Sequence, residues 1–327
     1  MDKSDSGSPA RPSLAVVAFF AILAILALPV AALVAQERGA RFTIVQTGQG
    51  FDRLQAAVNA IGPGSGTIAI APGTYTECAV QTDGRIAYVA ARPGSVTFDG
   101  GICEGKAALV LRGRSAEVSG VTFANMHVGE WNGAGIRIET GDLTVAQSWF
   151  RDSDQGILSA ADERGTITID KSTFTRLGTC AGGGGCAHSI YVGDYGALRV
   201  TRSRFEQGRG GHYVKSRAPQ VQVAASSFDD AGGKGSNYHI DLPAGAQGQI
   251  SNNWFVQGAD KENYAALIAI AAEGRRHSSE GLRIVGNDAR LAPGAKQTLF
   301  VADWSGDRLA LGQNALGSRI ERYQLIR

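Results

Sequence analysis

The sequence predicts an all-β fold in which short parallel strands coil into a solenoid, a parallel β-helix. Six phenylalanines recur at intervals of 27, 24, 31, 23 and 27 residues, and each ends a short run of alternating apolar and polar residues. The runs are VSGVTF, VAQSWF, IDKSTF, VTRSRF, VAASSF and ISNNWF, which end at Phe123, Phe150, Phe174, Phe205, Phe228 and Phe255. Such alternation is typical of strands with one buried face. Units this short cannot bury that face alone, so successive units must stack on a shared core.

The composition agrees with this architecture and argues against others. The 44 glycines suit many tight turns between short strands. The sequence lacks the dense leucine pattern of leucine-rich repeats and the 3.6-residue period of helical repeats. The net charge is only +2, which gives no strong positive field for nucleic acid. We therefore expect no nucleic-acid partner.

The N-terminal region consists of a polar segment, residues 1–12, and an apolar segment, residues 13–35. The apolar segment is 23 residues long and carries no charge, so it is long enough to span a bilayer. It is either a retained transmembrane helix or a signal peptide that is cleaved near Val30-Ala31-Ala32. We expect an inner-membrane protein whose β-helix domain lies in the periplasm, or a secreted protein if the segment is cleaved.

The β-helix domain is expected over residues 42–327, with a capping helix at residues 51–61. The run FDRLQAAVNAI repeats apolar residues at helical spacing and is followed by a Gly-Pro-Gly break. An alternating strand, GTIAIAPGTYTE, follows from Gly66 to Glu77. These segments resemble the start of right-handed parallel β-helix proteins of the pectate-lyase type (the pectin lyase fold), in which a short helix caps the open end of the solenoid. The resemblance implies the fold but no particular activity, because such folds host many chemistries.

The four cysteines are expected to form two disulfides. Cys78 and Cys103 are 25 residues apart, about one coil, so they can lie on adjacent turns. Cys180 and Cys186 bracket the loop CAGGGGC and can close it. Of the three possible pairings, this one needs the least distortion. Free thiols are the alternative; disulfides would place the domain in an oxidising compartment.

Candidate catalytic residues come from an alignment of the strands that begin successive coils. In this alignment Tyr191, Tyr213 and His239 share one register, and alternation sends them outward in one column. Lys215 and Asp241 follow two positions later on the same predicted face, and Arg217 lies two positions beyond Lys215. Stacked side chains on adjacent coils are only about 5 Å apart, so these residues form one cluster. The predicted outward cluster consists of Tyr191, Tyr213, Lys215, Arg217, His239 and Asp241.

This cluster suits β-elimination on a uronic acid, in which a cation neutralises the carboxylate, a base removes a proton and an acid protonates the leaving oxygen. We assign Arg217 as the carboxylate clamp, Lys215 or His239 as the base, and Tyr213 or Tyr191 as the acid. Resemblance to β-helix lyases implies such roles for Lys and Arg. The leading hypothesis is thus a lyase-like enzyme for acidic polysaccharide of the cell envelope. No cofactor is indicated; calcium stays an open alternative, although the tandem Asp-rich nonapeptides that bind it are missing.

Two alternatives stay open at this point. A non-catalytic glycan-binding or envelope scaffold protein would use the same face. A glycoside hydrolase would need two carboxylates, for which Asp241 with Asp229 or Asp230 are candidates. Additional substrate-binding candidates are Trp131, Glu139, His188 and His212. Asparagines that tolerate left-handed backbone and stack as ladders inside the solenoid are expected at Asn252, Asn253, Asn287 and Asn314.

Overall fold

The computed structural model describes residues 39–327, which form a right-handed parallel β-helix of about nine turns. Each turn contributes one strand to each of three sheets, so strands that are three apart in the chain pair with each other. Nearly all pairings are parallel, as a coil requires. The predicted all-β solenoid is therefore confirmed.

Strands are numbered in chain order. The first coils contain β1 (Phe42–Ile44), β2 (Gln49–Phe51), helix α1 (Leu54–Ile61), β3 (Ser65–Ile70), β4 (Gly73–Tyr75), β5 (Ala79–Gln81), β6 (Arg85–Ala90), β7 (Val96–Asp99), β8 (Ala107–Leu111), β9 (Ser115–Ser119) and β10 (Val121–Ala124). The middle coils contain β11 (Ala134–Ile138), β12 (Asp142–Ala146), β13 (Trp149–Arg151), β14 (Gln155–Ser159), β15 (Asp162–Asp170), β16 (Thr173–Thr175), β17 (Ile190–Val192), β18 (Tyr195–Thr201), β19 (Arg204–Glu206), β20 (Val214–Ser216) and β21 (Gln220–Ala224). The last coils contain β22 (Ser227–Asp229), β23 (Ile240–Leu242), β24 (Gln247–Ser251), β25 (Trp254–Gln257), β26 (Ala266–Ile270), β27 (Arg283–Val285), β28 (Asp288–Leu291), β29 (Thr298–Asp303), β30 (Ala310–Leu311), β31 (Ala315–Leu316) and β32 (Ile320–Leu325).

The three sheets run the length of the solenoid. Sheet 1 has the order β2-β1-β3-β6-β9-β12-β15-β18-β21-β24-β27-β30. Sheet 2 has the order β31-β28-β25-β22-β19-β16-β13-β10-β7-β4 and carries the phenylalanines. Sheet 3 has the order β32-β29-β26-β23-β20-β17-β14-β11-β8-β5 and carries the candidate site.

The phenylalanines form one continuous stack along the interior of sheet 2. Successive ring centroids lie 4.7 to 5.7 Å apart, and the planes are tilted by at most 18°. Phe98, which ends the similar run SVTF, extends the predicted set of six by one coil. All of these rings are buried. Offset stacking adds to the stabilisation that comes from burying each ring. A ring inside the stack is therefore held by the rings of the coils before and after it.

A polar ladder accompanies the aromatic stack at one corner of the coils. The backbone N–H of each member except the last donates to the side-chain oxygen of the equivalent residue on the next coil, at 2.9 to 3.3 Å. The members are Ser148, Ser172, Ser203, Ser226, Asn253, Asn287 and Asn314. The predicted asparagine ladder is confirmed for the last three. Asn252 instead occupies a left-handed turn position, with φ of 56°.

Helix α1 covers the first coil, but it begins three residues later than predicted. Residues Gln49–Phe51 form β2, which pairs antiparallel with β1 and places Phe51 opposite Phe42. The backbone N–H of Leu54 donates to the Glu77 carboxylate at 2.8 Å, and this bond fixes the start of the helix. Leu54, with Ala57 and Val58, is buried against the core. The helix thus shields the apolar end of the solenoid.

Both predicted disulfides are formed, Cys78 with Cys103 and Cys180 with Cys186. The first joins adjacent coils, and the second closes the glycine-rich loop. Within residues 39–327, no helix combines the length and apolar character needed to cross a membrane. The apolar segment at residues 13–35 lies outside the residues that the structure describes.

We expect Phe174→Ala to lower the free energy of unfolding by about 3 to 5 kcal/mol, because it opens a cavity in the middle of the aromatic stack. Urea denaturation followed by circular dichroism measures this change. The control is Thr173→Ala, at a partly exposed position one residue earlier, which should change stability by less than about 0.5 kcal/mol. Equal effects of the two substitutions would contradict the central role of the stack.

Candidate functional site

The outer face of sheet 3 brings charged side chains from successive coils into one column. Strand pairing places Arg137 beside Leu158, Leu158 beside Tyr191, and Tyr191 beside Lys215. Lys215 in turn pairs with Asp241. Equivalent residues of neighbouring strands are about 4.8 Å apart, so adjacent members of this column can share a ligand.

The predicted register of this column is wrong by two residues. Val214 pairs with Ile190 rather than with Val192, and Ile240 pairs with Val214. Tyr191 is therefore a neighbour of Lys215, and Tyr213 and His239 are not in the outward column. Both of these side chains point into the solenoid and are at most 1% exposed. They are excluded as the acid and the base of the site in this conformation.

Tyr213 and His239 face inward because each precedes a three-residue strand at a corner of the coil. There two consecutive side chains enter the core, which breaks the alternation that holds inside a strand. The Tyr213 hydroxyl donates to Asp230 at 2.5 Å, and His239 Nε2 lies 3.1 Å from the Val256 carbonyl oxygen. The equivalent position two coils before Tyr213 is Gly156, where a Cβ atom would lie 2.9 Å from the Phe174 ring. The corner position is thus part of the core.

Four residues of the predicted cluster remain together on the outer side of sheet 3, and Glu273 covers them from the solvent side. The Lys215 ammonium lies 2.6 Å from Glu273 Oε1 and 3.4 Å from Asp241 Oδ2. Arg217 donates to Glu273 and to the Tyr191 hydroxyl, and its guanidinium lies 5.2 Å from the centre of the Tyr191 ring. The cluster therefore consists of two cations, two carboxylates and a phenol.

Asp241 is the most deeply buried acid of the cluster. Burial, which is the largest effect, raises the pKa of Asp241 to about 6 despite the nearby Lys215 ammonium. Its Oδ1 atom is buried without a hydrogen-bond partner, and its Oδ2 atom lies 3.3 Å from His212 Nε2. A carboxyl group in this setting holds its proton at a higher pH than an exposed one. Glu273 differs, because Lys215 and Arg217 outweigh the opposing effect of burial and lower its pKa.

His188 and His212 form a second outward column with Tyr238. The His188 and His212 rings stack at 4.9 Å, and the His212 and Tyr238 rings stack at 5.3 Å. His188 Nδ1 accepts the backbone N–H of His212, and His212 Nδ1 accepts that of Tyr238. Burial lowers the pKa of His188 to about 3 and lowers that of His212 well below its usual value. Both imidazoles are therefore neutral. Their Nδ1 atoms accept backbone N–H groups from the next coil, so they form a side-chain ladder on sheet 3 that is analogous to the serine and asparagine ladder.

A cleft of about 630 Å³ opens beside Tyr191 on this face. Its floor is formed by Arg137, Gln155, Leu158 and Tyr191, and its walls are the loop 129–132 and the disulfide-closed loop 181–187. Trp131 lies on the first wall, where its side chain is 46% exposed. We call this space the sheet 3 cleft. An exposed indole on a wall is a suitable stacking surface for a sugar ring.

Arg137 is the cation of the cleft floor. Burial lowers its pKa, and its Nε atom is buried without a hydrogen-bond partner. Glu139 lies 3.7 Å from that atom but is committed to Lys106 at 2.8 Å and to Arg112 at 2.5 Å. The predicted substrate-binding residue Glu139 is thus a member of an ion-pair network beside the cleft, while Arg137 retains donor capacity toward the cleft.

The carboxylate pair of the hydrolase alternative does not come together. Asp241 lies on the outer face of sheet 3, whereas Asp229 belongs to β22 of sheet 2. Asp230 is fully buried inside the solenoid, where it contacts the Lys261 ammonium at 3.1 Å. Two carboxylates that flank a single sugar linkage are therefore not available from these residues.

One grouping of potential metal ligands occurs in residues 39–327, and it is not a usable site. Cys180, Cys186 and Glu262 place one ligand atom each within 4.8 Å of one another. The two cysteines are joined in a disulfide, and metal ions bind the thiolate form of cysteine.

Comparisons with known proteins address the fold. Neither a family model nor a curated protein matches the chain. Among solved structures, the chain is similar to ORF18 of Geobacillus virus E2, with 12% identity and a TM-score of 0.46; the match covers 80% of this chain and 56% of the viral chain. It is similar to a pectin methylesterase from Aspergillus niger, with 12% identity and a TM-score of 0.47 over 89% and 91% of the two chains. It is also similar to the A-module of a mannuronan C-5 epimerase from Azotobacter vinelandii, with 13% identity and a TM-score of 0.33 over 88% and 95%.

The coil geometry itself shows that the fold of residues 39–327 is a parallel β-helix. At these identities and TM-scores the matches assign the chain to no family. The chain spans little more than half of the viral protein.

Three residues of the site are not among those predicted from the sequence: Arg137, Gln155 and Glu273. Arg137 follows Ile136 in β11, and the correct register would have placed it in the column of Tyr191. Gln155 begins β14 and stands in the column of His188 and His212 without a distinctive motif. Glu273 lies in a segment that no strand pattern positions.

We expect the free energy of unfolding to fall as the pH is lowered below about 6.5. His188, His212 and His239 have folded-state pKa values below that of an unfolded chain, so the unfolded state binds more protons there. Asp241 has the opposite effect, because its pKa is raised to about 6 and the folded state binds one proton there before the unfolded state does.

Urea unfolding between pH 7 and pH 5 measures the slope. His239→Gln keeps a donor for the Val256 carbonyl and removes one titrating group, so its slope should be smaller by at most about 1.4 kcal/mol per pH unit, a limit that is approached toward pH 5. Stability that is constant over this range, or a slope that the substitution leaves unchanged, would refute the assignment.

Proposed function

We propose that this protein binds an acidic polysaccharide in the sheet 3 cleft. The observation that carries the proposal is the Arg137 guanidinium on the cleft floor, whose side chain is 22% exposed and donates no hydrogen bond within residues 39–327. A ligand carboxylate in the cleft would accept charge-assisted hydrogen bonds from this guanidinium. Trp131 on the wall offers the stacking surface that a sugar ring needs.

The finer proposal is β-elimination on a uronic acid residue. A base takes the proton from the carbon next to the carboxylate, the bond from the neighbouring carbon to the glycosidic oxygen breaks, and a carbon–carbon double bond forms. Tyr191 supplies a proton to the leaving oxygen. Arg217 donates to the Tyr191 hydroxyl oxygen, which leaves the phenolic hydrogen free to point toward a ligand.

Lys215 is the remaining base candidate, because His239 lies in the core. Its ammonium is paired with Glu273 and Asp241, so it can act as a base only after a rearrangement. This pairing favours the second candidate function, a glycan-binding or scaffold protein without catalysis. The two functions share the cleft and differ in whether an unsaturated product is formed.

We also propose that the domain works in an oxidising compartment, in the periplasm or outside the cell. The two disulfides support this location, since structural disulfides are rare in the cytosol. Anchoring through residues 13–35 remains part of this proposal.

We expect Arg137→Ala to weaken binding of oligogalacturonate, alginate or hyaluronate oligosaccharides roughly tenfold to a hundredfold, because a charged hydrogen bond is lost. Isothermal titration calorimetry of residues 39–327 measures this affinity. Arg199→Ala, at an exposed position of sheet 1, is the matched loss of one positive charge and should have little effect. Equal weakening by both substitutions would indicate general attraction and contradict a site at Arg137.

We expect Tyr191→Phe to slow elimination by roughly 10² to 10⁴ with little change in affinity, because it removes only the proton donor. The ultraviolet absorbance of unsaturated uronates follows the reaction. Binding by the wild-type protein without any rise in absorbance would reject the lyase and support the non-catalytic alternative. A variant with wild-type turnover would reject Tyr191 as the acid.

A further inference from the structure

Glu273 binds both outward cations of the cluster at once. Its Oε1 atom lies 2.6 Å from the Lys215 ammonium, and its Oε2 atom accepts from Arg217. The side chains of Lys215 and Arg217 are only 11% and 21% exposed, whereas that of Glu273 is 47% exposed. The two cations thus converge on one position of carboxylate size, and the carboxylate that fills it comes from the solvent side.

The segment that carries Glu273 is fixed on sheet 3 by its backbone. It connects β26 to β27 and crosses the ends of β23 and β20. The Glu273 N–H donates to the Pro243 carbonyl at 3.0 Å, and the His277 N–H donates to the Ala244 carbonyl at 2.8 Å. Arg276 adds an ion pair with Asp194 on an earlier coil. The backbone of this segment is therefore fixed. The Glu273 side chain can move away from the two cations while the segment stays in place.

The filled position borders the catalytic phenol of the proposed function. Arg217 contacts the Glu273 carboxylate and the Tyr191 hydroxyl with different nitrogen atoms of one guanidinium. Tyr191 also lines the sheet 3 cleft. A sugar carboxylate at the Glu273 position would thus lie beside Tyr191, at the edge of the cleft.

We propose that Lys215 and Arg217 form a carboxylate-binding subsite for a uronic acid residue, and that Glu273 occupies this subsite as an internal competitor. The inference rests on the proposed binding of acidic polysaccharide. An incoming uronate carboxylate exchanges with the Glu273 carboxylate on the same two cations. The exchange keeps the number of charge pairs constant, so no cation is left buried without a partner.

The competition predicts that removing the Glu273 charge strengthens binding. Glu273→Gln keeps the size of the side chain but loses the ion pairs with Lys215 and Arg217, so a ligand carboxylate meets a weaker competitor. We expect an affinity for uronate oligosaccharides that is about tenfold higher than that of the wild-type protein. A neutral oligosaccharide such as maltohexaose should gain nothing.

The matched control is Glu280→Gln, which removes one negative charge from the same segment. Glu280 pairs with Arg308 and lies outside the cluster. If the gain came from the overall charge of the protein, both variants would bind more tightly to the same degree. If Glu273 is a competitor in the subsite, only Glu273→Gln gains affinity, and adding Lys215→Met to it abolishes the gain.

Calorimetry with oligogalacturonate, oligomannuronate and hyaluronate oligosaccharides decides the matter. Tighter binding by Glu273→Gln alone supports the subsite. Equal affinities of the wild-type protein, Glu273→Gln and Glu280→Gln overturn the subsite while leaving the proposed function intact. Absence of binding to the wild-type protein and to Glu273→Gln overturns both.

Discussion

Every position on the outer face of this protein depends on the hydrogen-bonded register between successive coils. Apart from β15 and β18, the strands are only two to six residues long and cannot hold a fixed position alone, so each is aligned by the strands before and after it. The phenylalanine stack and the serine and asparagine ladder lock the same register from the inside. Residues that are 20 to 34 positions apart in sequence, such as Tyr191 and Lys215, thereby become neighbours.

The sequence predicted the coil well because its signal is periodic and the core tolerates few substitutes. A phenylalanine that must stack on the phenylalanines above and below it recurs visibly, as at Phe150 and Phe174. The disulfides were predictable for a related reason, since a separation of one coil brings Cys78 next to Cys103. Each of these features follows from the repeat alone.

The candidate site was less predictable because it lies where the repeat is interrupted. Alternation fails at coil corners, and this sent Tyr213 and His239 into the core rather than onto the surface. A register error of two residues followed from the same cause. Glu273 was beyond reach because backbone hydrogen bonds to Pro243 and Ala244 place its segment, and no local pattern encodes them.

The ladder at the coil corner also determines how this chain can change in length. A backbone N–H of each coil donates to a side-chain oxygen of the next coil. Deleting a single residue inside a strand would therefore shift the later residues out of register with their partners. A whole coil can be gained or lost without disturbing the remaining coils. Extra residues fit only between strands. The 31 residues from Phe174 to Phe205 illustrate this, because the surplus forms the loop closed by Cys180 and Cys186, which became a wall of the cleft. New binding surfaces can therefore arise by insertion at corners while the solenoid beneath them stays the same.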